Sequence, residues 1–286
     1  MKVLVTGAAG QLGAEIVREF SRRHEVAAFD RGALDITDAD AIGRQMEAVR
    51  PDVVINCAAD NRVDAAEDDP LPAFAVNAAA VWELARAAES GGAVFVHFST
   101  DFVFDGETDQ PYREDDPPRP LNLYSASKLA GEHLARIGCA RTYLCRVESV
   151  FGMGARHAPP RNSVDRIIGG LLDGAPPRVI TDRVISPTYA VDAARAVEEM
   201  LVRRIPPGIY HVANEGTCTW AELGRRLAEV LKASVRSEEV PMAAMHFKAR
   251  RPRYSALDVS KLRAAGIEMP RWEDAIQRFV SERLHG

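Results

Sequence analysis

The chain has 286 residues, of which 47% are hydrophobic and 27% are charged, and its formal net charge at pH 7 is -5. This length suits one large α/β domain or a main domain with a small appendage, and the acidic balance disfavours nucleic acid as a partner. No run of about 18 apolar residues occurs, and the N-terminus MKVLVTGAAG lacks a signal-peptide pattern. We therefore expect no membrane span and a cytoplasmic location.

The cysteines indicate neither a disulfide framework nor a zinc site, because none of them forms a CxxC pair and no histidine stands beside them at metal-ligand spacing. They are Cys57, Cys139, Cys145 and Cys218. Reduced and mostly buried thiols are the expectation.

Short apolar runs alternate with segments of helical period along the first half of the chain. The predicted strands span 2–6, 25–29, 53–56, 93–98 and 142–146, and the predicted helices span 11–23, 39–49, 71–90 and 124–136. Asp38 is the expected N-cap of the second helix. This alternation predicts an α/β fold with a Rossmann-type doubly wound parallel sheet and helices on both faces.

The pattern loosens after about residue 151. We predict a loop over 152–161, a strand over 209–212, an amphipathic helix over 220–232 and an irregular basic segment over 240–254. The predicted organisation is a dinucleotide-binding domain over 1–150, to which about 178–212 returns, and a small mixed C-terminal region over 151–286 that is mostly substrate-binding.

The first predicted strand runs into a GxxGxxG motif formed by Gly7, Gly10 and Gly13. Gly7 allows a tight turn, Gly10 lets the backbone approach a pyrophosphate, and Gly13 allows close packing of helix on strand. The helix N-terminus that follows offers free N–H groups to phosphates. Its position after a strand and before a helix predicts a dinucleotide site.

Two neighbouring residues give conflicting signals about the cofactor. Asp30 closes the second predicted strand, near the spacing of the carboxylate that binds a ribose 2′-hydroxyl, which favours NADH. Arg31 beside it would accept the 2′-phosphate of NADPH. Both cofactors stay open, with dual use slightly favoured. Asp35 and Ile36 could hold the adenine, although Asp35 also fits a polar helix entry.

Tyr124 and Lys128 form a YxxxK motif whose i, i+4 spacing places both side chains on one helix face. An ammonium near the phenol would stabilise the phenolate and lower the pKa of Tyr124. The phenol could then donate a proton to a carbonyl oxygen. Thr100 ends the fourth predicted strand, at the sheet edge that lines ligand crevices, and could bind the same oxygen.

These motifs resemble the extended short-chain dehydrogenase/reductase family, and within it the dTDP-4-dehydrorhamnose reductases. The stretches that carry the resemblance run along nearly the whole chain: VLVTGAAGQLG, INCAA, VDAAEDDP, STDFVFDG, PYREDDPPRPLNLYSASKLAGE, SPTYAVDAA, GIYHVANEGTCTWAELG and ARRPRYSALDVSKL. The same blocks are similar to the regulatory β subunit of methionine adenosyltransferase, which binds NADP.

The resemblance implies that NADPH or NADH reduces the 4-keto group of a dTDP-6-deoxyhexose, so a nucleotide sugar is the expected partner. Together, motifs and resemblance give these cofactor-binding candidates: Gly7, Gly10, Gln11, Leu12, Gly13, Asp30, Arg31, Asp35, Ile36, Ala58, Ala59, Asp60, Asn61, Asn77, Phe98, Tyr124 and Lys128. The catalytic candidates are Thr100, Tyr124 and Lys128, and the substrate-binding candidates are Thr100, Asp101, Phe102, Ser149 and Arg251.

The chain departs from the reductase pattern at several positions. Ser149 stands where that pattern has a tryptophan that stacks on the sugar, and Asn61 and Ala65 replace an expected threonine and lysine. These changes leave the sugar open. Two other functions also stay open: a non-catalytic NAD(P)-binding regulatory subunit, and a sugar-nucleotide epimerase or dehydratase. A dehydratase is disfavoured because Phe102 follows Asp101, where an acidic pair is usual.

A basic cluster in the C-terminal region suits phosphate, because arginine binds phosphate oxygens in a bidentate manner. It consists of Lys248, Arg250, Arg251 and Arg253. A clamp on a nucleotide-sugar pyrophosphate and a solvated basic loop are equally compatible with the pattern. Glu15 and neighbouring carboxylates could bind a metal at a dimer interface in relatives, yet the sequence supports no metal site here. A homodimer stays open.

Overall fold

The computed structural model describes residues 1–154 and 162–285. In chain order the strands are β1 (Lys2–Thr6), β2 (Glu25–Phe29), β3 (Val53–Asn56), β4 (Val94–Thr100), β5 (Thr142–Val147), β6 (Val150–Phe151), β7 (Arg178–Ile180), β8 (Val184–Ile185), β9 (Thr188–Tyr189), β10 (Gly208–His211), β11 (Cys218–Thr219) and β12 (Glu238–Val240).

The helices are α1 (Gln11–Phe20), α2 (Ala39–Val49), α3 (Leu71–Phe74), α4 (Ala80–Ser90), α5 (Leu123–Gly138), α6 (Ser163–Leu172), α7 (Ala190–Arg203), α8 (Trp220–Leu231), α9 (Ser260–Ala264) and α10 (Trp272–His285). A π-helical turn, Ala75–Ala79, joins α3 to α4, and short 3₁₀ helices occupy Ala65–Glu67, Asp101–Val103 and Met242–Met245.

Six parallel strands form the central sheet in the order β10-β5-β4-β3-β1-β2. Side chains along β1 alternate between its two faces: Val3 and Val5 pack with α1 and α7, and Leu4 packs with α2 and α4. Both faces are therefore covered, which confirms the predicted doubly wound α/β fold.

The order of the strands locates a binding crevice. From β1 the chain proceeds outward to β2 on one side, and from β3 it proceeds outward to β4 and β5 on the other. Ligands of open α/β sheets bind at the carboxyl ends of the strands where this direction reverses. Here that point lies between the ends of β1 and β3.

Local signals account for the helix boundaries. The Asp38 side chain accepts a hydrogen bond from the Ala41 N–H, which confirms the predicted cap of α2. Asn122 caps α5 in the same way through the Ser125 N–H, so Tyr124 lies in the first turn. The helix predicted from residue 11 ends at Phe20, three residues earlier than expected.

The C-terminal part of the chain has its own core, built from α6, α8, α10 and the short strands around them. Residues 178–180 pair with 238–240 outside the central sheet, whereas 208–211 joins its edge beside β5.

The boundary predicted at residue 150 stays a prediction. Residues 155–161 of the predicted loop lie outside the described residues. In the described chain, no helix has the length and apolar character that crossing a membrane requires.

Candidate active site

The glycine motif shapes the crevice at the end of β1. Gly7 directly follows β1 with φ at +66°, and a Cβ there would lie 2.5 Å from the Ala58 nitrogen. Gly10 is the N-cap of α1 and brings no capping side chain to the first-turn N–H groups. A Cβ on Gly13 would lie 2.2 Å from the Gly7 carbonyl oxygen. The helix thus packs tightly on the strand and points its N-terminus at the crevice.

A cleft of about 900 Å³ follows the carboxyl ends of β1 to β4. All the predicted cofactor-binding residues line it except Gly13 and Asn77. Gly13 is turned into the packing between α1 and β1 instead. The cleft therefore runs from the glycine motif and the end of β2 to Tyr124, as a bound dinucleotide requires.

Asp30 and Arg31 both line this cleft, directly after the end of β2. An oxygen of the Asp30 carboxylate accepts a hydrogen bond from the Ala33 N–H at 2.9 Å. The Arg31 side chain is 91% exposed and lies 4.0 Å from the Asp35 carboxylate. Hydrogen bonds from the backbone and hydroxyl of Thr37 lower the pKa of Asp35, so this carboxylate is charged at neutral pH.

Asn77 acts behind the wall of the cleft. It is fully buried in the π-helical turn, where its amide exchanges two hydrogen bonds of 2.9 Å with the backbone of Asp60. Its nitrogen also donates to the Ser127 hydroxyl at 3.0 Å. Asn77 thus links the loop after β3 to α5.

Tyr124 and Lys128 lie on the buried face of α5, as their spacing predicts. The Lys128 ammonium donates to the Phe98 carbonyl oxygen at 2.6 Å, and burial lowers its pKa to about 8. The Tyr124 hydroxyl donates to the Asn61 side-chain oxygen at 3.3 Å.

The expected lowering of the Tyr124 pKa is wrong for this structure. Burial raises that pKa, and only the hydrogen bond with Thr100 lowers it. The Lys128 ammonium faces the backbone of β4 and does not offset the burial. Tyr124 therefore keeps its proton at neutral pH, which is the state that a proton donor needs.

A second cleft of about 890 Å³ meets the first at Tyr124. The five substrate-binding candidates, which are Thr100, Asp101, Phe102, Ser149 and Arg251, all line it. Ser149 lies where the two clefts meet and has a φ of 44°, a left-handed conformation that side chains rarely adopt. Residues held in such conformations cluster at functional sites.

The basic cluster is only partly available to a ligand. Arg251 makes a two-pronged pair with the Asp64 carboxylate, at 2.9 and 3.0 Å, and stacks on the Phe247 ring at 3.9 Å. Lys248 pairs with Asp68. Of the four basic residues, Arg251 alone lines the second cleft. Aspartates that precede α3 thus neutralise much of the predicted clamp.

Sequence reasoning missed a buried charged cluster beneath the second cleft. The Thr100 hydroxyl donates to Asp101 at 3.0 Å, and Arg183 lies 3.6 Å from the other oxygen of the same carboxylate. Glu148 is buried against Asp101 and accepts a hydrogen bond from Ser255 at 2.5 Å. These residues come from distant parts of the chain, so no local pattern connects them.

The described residues contain no group of three or more histidine, cysteine, aspartate or glutamate side chains placed to hold a metal ion. Glu15 is buried and pairs with Arg18 at 2.7 Å. The Arg18 guanidinium therefore balances the negative charge of the Glu15 carboxylate.

Comparisons with known proteins agree with this geometry. The profile of the RmlD substrate binding domain family matches residues 1–284. The spore coat polysaccharide biosynthesis protein SpsK of Bacillus subtilis is 35% identical over 99% of this chain and 98% of that protein. A dTDP-4-dehydrorhamnose reductase of Streptomyces griseus is 38% identical over 96% of this chain and 91% of that protein. The crystal structure of the Bacillus anthracis dTDP-4-dehydrorhamnose reductase in complex with NADP is similar, with a TM-score of 0.92 and 32% identity, over 99% of this chain and 100% of that one.

Proposed function

The chain belongs to the RmlD substrate binding domain family, and we propose on that premise that it is an NAD(P)H-dependent reductase of a 4-keto-6-deoxy sugar nucleotide. The substrate that fits this proposal best is dTDP-4-dehydrorhamnose, which would yield dTDP-rhamnose. The observation that carries the proposal is the meeting of the two clefts at Thr100 and Tyr124, with Lys128 beneath them.

The residues of the first cleft fit a nicotinamide dinucleotide. Gly7 and Gly10 have no side chains, so the backbone is open where a pyrophosphate would approach. A Cβ at Gly7 would clash with the loop after β3. Gln11 and Leu12 open α1 and would meet the phosphates. When bound, the cofactor supplies a hydride to the carbonyl carbon of the sugar.

The chain's own residues carry the proton chemistry. Tyr124, which burial keeps protonated, donates its phenol proton to the carbonyl oxygen as negative charge develops there. Thr100 holds that oxygen from the end of β4. Lys128, anchored on the Phe98 carbonyl oxygen, places positive charge beside the nicotinamide end of the cleft.

The second cleft fits the nucleotide-sugar half of the substrate. Phe102 and Arg183 stack there, with the guanidinium 4.9 Å from the ring centre. Arg251 would meet the pyrophosphate once its pairing with Asp64 is shared or exchanged. Ser149 gives the sugar a hydroxyl in place of an aromatic ring, so a 4-keto sugar other than dTDP-4-dehydrorhamnose is the alternative substrate.

The test is oxidation of NADPH and of NADH, followed by absorbance, with enzymatically prepared dTDP-4-dehydrorhamnose. Oxidation that depends on the sugar nucleotide supports the reductase. The ratio of kcat/KM for the two cofactors shows whether Asp30, which favours NADH, or Arg31, which favours NADPH, determines the cofactor preference. Tight cofactor binding without oxidation by any 4-keto sugar nucleotide contradicts the proposal and favours a regulatory subunit. Interconversion of sugars without net oxidation favours an epimerase.

A further inference from the structure

One arginine at the second cleft is buried and donates no hydrogen bond within the described chain. Arg183 is 6% exposed, and its Nε atom is buried without an acceptor among the described residues. Its ion pair with Asp101, 3.6 Å from Nη2 to Oδ2, is longer than a hydrogen bond. A guanidinium carries several N–H donors, and burying them unpaired is costly. Arg183 therefore has donors to spare at the wall of a cleft.

Arg146 shows how the same chain satisfies a buried arginine that lies away from the clefts. Its side chain is 2% exposed and lies 5.0 Å from the centre of the Phe104 ring. The Arg183 guanidinium lies over the Phe102 ring in a similar way, at 4.9 Å. Arg146, however, donates two hydrogen bonds of 2.9 and 2.8 Å to the Glu132 carboxylate, and only its Nη1 atom stays unpaired. Since Arg183 has no such partner and lines the second cleft, the acceptor that suits it belongs to a ligand.

Contacts on both sides hold Arg183 in place. The residue directly precedes β8, where the Val184 N–H donates to the Arg253 carbonyl oxygen at 2.9 Å. The Val184 carbonyl oxygen in turn accepts from the Ser255 N–H at 3.0 Å. The side chain is attracted to the Phe102 ring by a cation–π contact. Arg183 is thus positioned before a ligand arrives, which reduces the conformational entropy that binding would cost.

The neighbours of Arg183 place it beside the reacting carbonyl group of the proposed substrate. Asp101 and Phe102, which it contacts, directly follow Thr100 in the chain. Thr100 and Tyr124 line both clefts and mark the point where the clefts meet. In a 4-keto-6-deoxy sugar, the carbons next to the carbonyl are C3, which bears a hydroxyl, and C5, which bears the methyl group. The carbon that bears the diphosphate lies across the ring.

Charge also favours a hydroxyl over a phosphate as the partner of Arg183. The Asp101 carboxylate lies 3.6 Å from the guanidinium and balances its charge. A phosphate at the same arginine would bring further negative charge beside that carboxylate, which mutual repulsion disfavours. A hydroxyl oxygen accepts a hydrogen bond from a guanidinium without adding charge. The partner of Arg183 that fits both position and charge is therefore the C3 hydroxyl.

We propose that Arg183 donates a hydrogen bond to the C3 hydroxyl oxygen of the sugar and makes this hydroxyl a requirement for tight binding. The inference rests on the proposed reductase function and adds a specificity-determining residue to it. A site built to hydrogen-bond a substrate hydroxyl rejects an analogue that lacks it, because the buried donor is then left unpaired. The preferred substrates are therefore 4-keto sugar nucleotides that carry a 3-hydroxyl group, and 3-deoxy sugars are disfavoured.

The first test measures binding without turnover. Titration calorimetry compares dTDP-rhamnose, its 3-deoxy analogue and dTDP on the wild-type protein saturated with NADP⁺. The 3-deoxy analogue should bind on the order of 10- to 100-fold more weakly than dTDP-rhamnose, as expected for the loss of one hydrogen bond from a charged donor. Equal affinity for the two sugar nucleotides overturns the proposal.

The second test assigns the discrimination to Arg183. Arg183→Met keeps a long side chain without a donor, and it should weaken dTDP-rhamnose on the order of 10- to 100-fold and leave dTDP unchanged. Its loss and the loss of the 3-hydroxyl should not add, because groups in contact are coupled. Arg183→Lys keeps the charge beside Asp101 but loses the planar fork, so it tests the contact even if Arg183→Met does not fold. Arg225→Met is the matched control, because Arg225 lies on α8, pairs with Glu239 and lines neither cleft.

Two results contradict the proposed contact. An equal loss of affinity for dTDP and dTDP-rhamnose means that the guanidinium meets the diphosphate, and additive losses mean that Arg183 acts only on the fold. The reductase proposal is judged separately, by NADPH oxidation. If the wild-type protein oxidises no NADPH with 4-keto sugar nucleotides but distinguishes the 3-hydroxyl through Arg183, the reductase proposal fails and the contact stands.

Discussion

Replacing Tyr124 with phenylalanine removes one buried hydroxyl and leaves the rest of the site in place. The ring contributes an edge-on contact with Phe102 at 6.1 Å, and phenylalanine retains it. The lost hydrogen bond to Asn61 is long, 3.3 Å, and that acceptor is exposed to water, whereas Thr100 keeps Asp101 as a partner when its bond with Tyr124 is lost. The substitution should therefore lower the free energy of unfolding by less than about 1 kcal/mol.

The effect on catalysis should be much larger. Removal of a positioned general acid typically slows a reaction by roughly 10²–10⁴-fold. At about 1.4 kcal/mol for each factor of ten, that corresponds to about 3–5 kcal/mol of transition-state stabilisation. The cofactor keeps its glycine motif, so its affinity should be nearly unchanged. The assay is steady-state oxidation of NADPH, combined with a fluorescence titration of NADPH binding.

Tyr143→Phe is the matched control. Tyr143 is also buried, and its hydroxyl donates to the Ile205 carbonyl oxygen, but it lies on β5 and lines neither cleft. This variant should lose about 1 kcal/mol of stability and keep its kcat. If Tyr124→Phe keeps more than a tenth of the wild-type kcat, or if the two variants lose activity alike, the assignment of Tyr124 as proton donor is refuted.

Three further predictions concern the cofactor cleft. Gly13→Ala should lower both thermal stability and NADPH affinity, because its Cβ would lie 2.2 Å from a backbone oxygen. Its control is Gly43→Ala on the open face of α2, which should be neutral or stabilising by up to about 1 kcal/mol. Arg31→Ala should raise the KM for NADPH but not for NADH, and Asp30→Ala should do the reverse; equal effects on both cofactors would contradict the roles assigned. Because burial lowers the pKa of Lys128 to about 8, its charge is lost as the pH rises through that value, and kcat/KM should fall there.

The local structures around the site that the sequence predicts, and that the fold contains, depend on short-range geometry. Tyr124 and Lys128 share a helix face because a helix repeats every 3.6 residues. The glycine motif lies between a strand and a helix, and Asp38 caps α2 through a neighbouring N–H. Such features need only a few consecutive residues, so the sequence contains them in full.

The features that sequence reasoning did not foresee have a common physical origin, which is contact between distant segments. The cofactor-binding role of Asn77 stays a prediction, but its place in a π-helical turn and its bond to the backbone of Asp60 do not follow from hydrophobic periodicity. Arg251 reads as a free cation until folding places Asp64 beside it, 187 residues away. The pKa of Tyr124 likewise depends on how deeply the fold buries it.

The cluster of Asp101, Glu148 and Arg183 is the strongest case of this kind, because its members come from three separate segments of the chain. Burying such charges costs several kcal/mol per ion, and well-packed apolar residues of similar volume are often as stable or more so. Proteins tend to depart from the rules of good packing at functional sites. Asp101 and Arg183 line the second cleft beside Thr100, so the position of this cluster favours a role at the site over a role in stability.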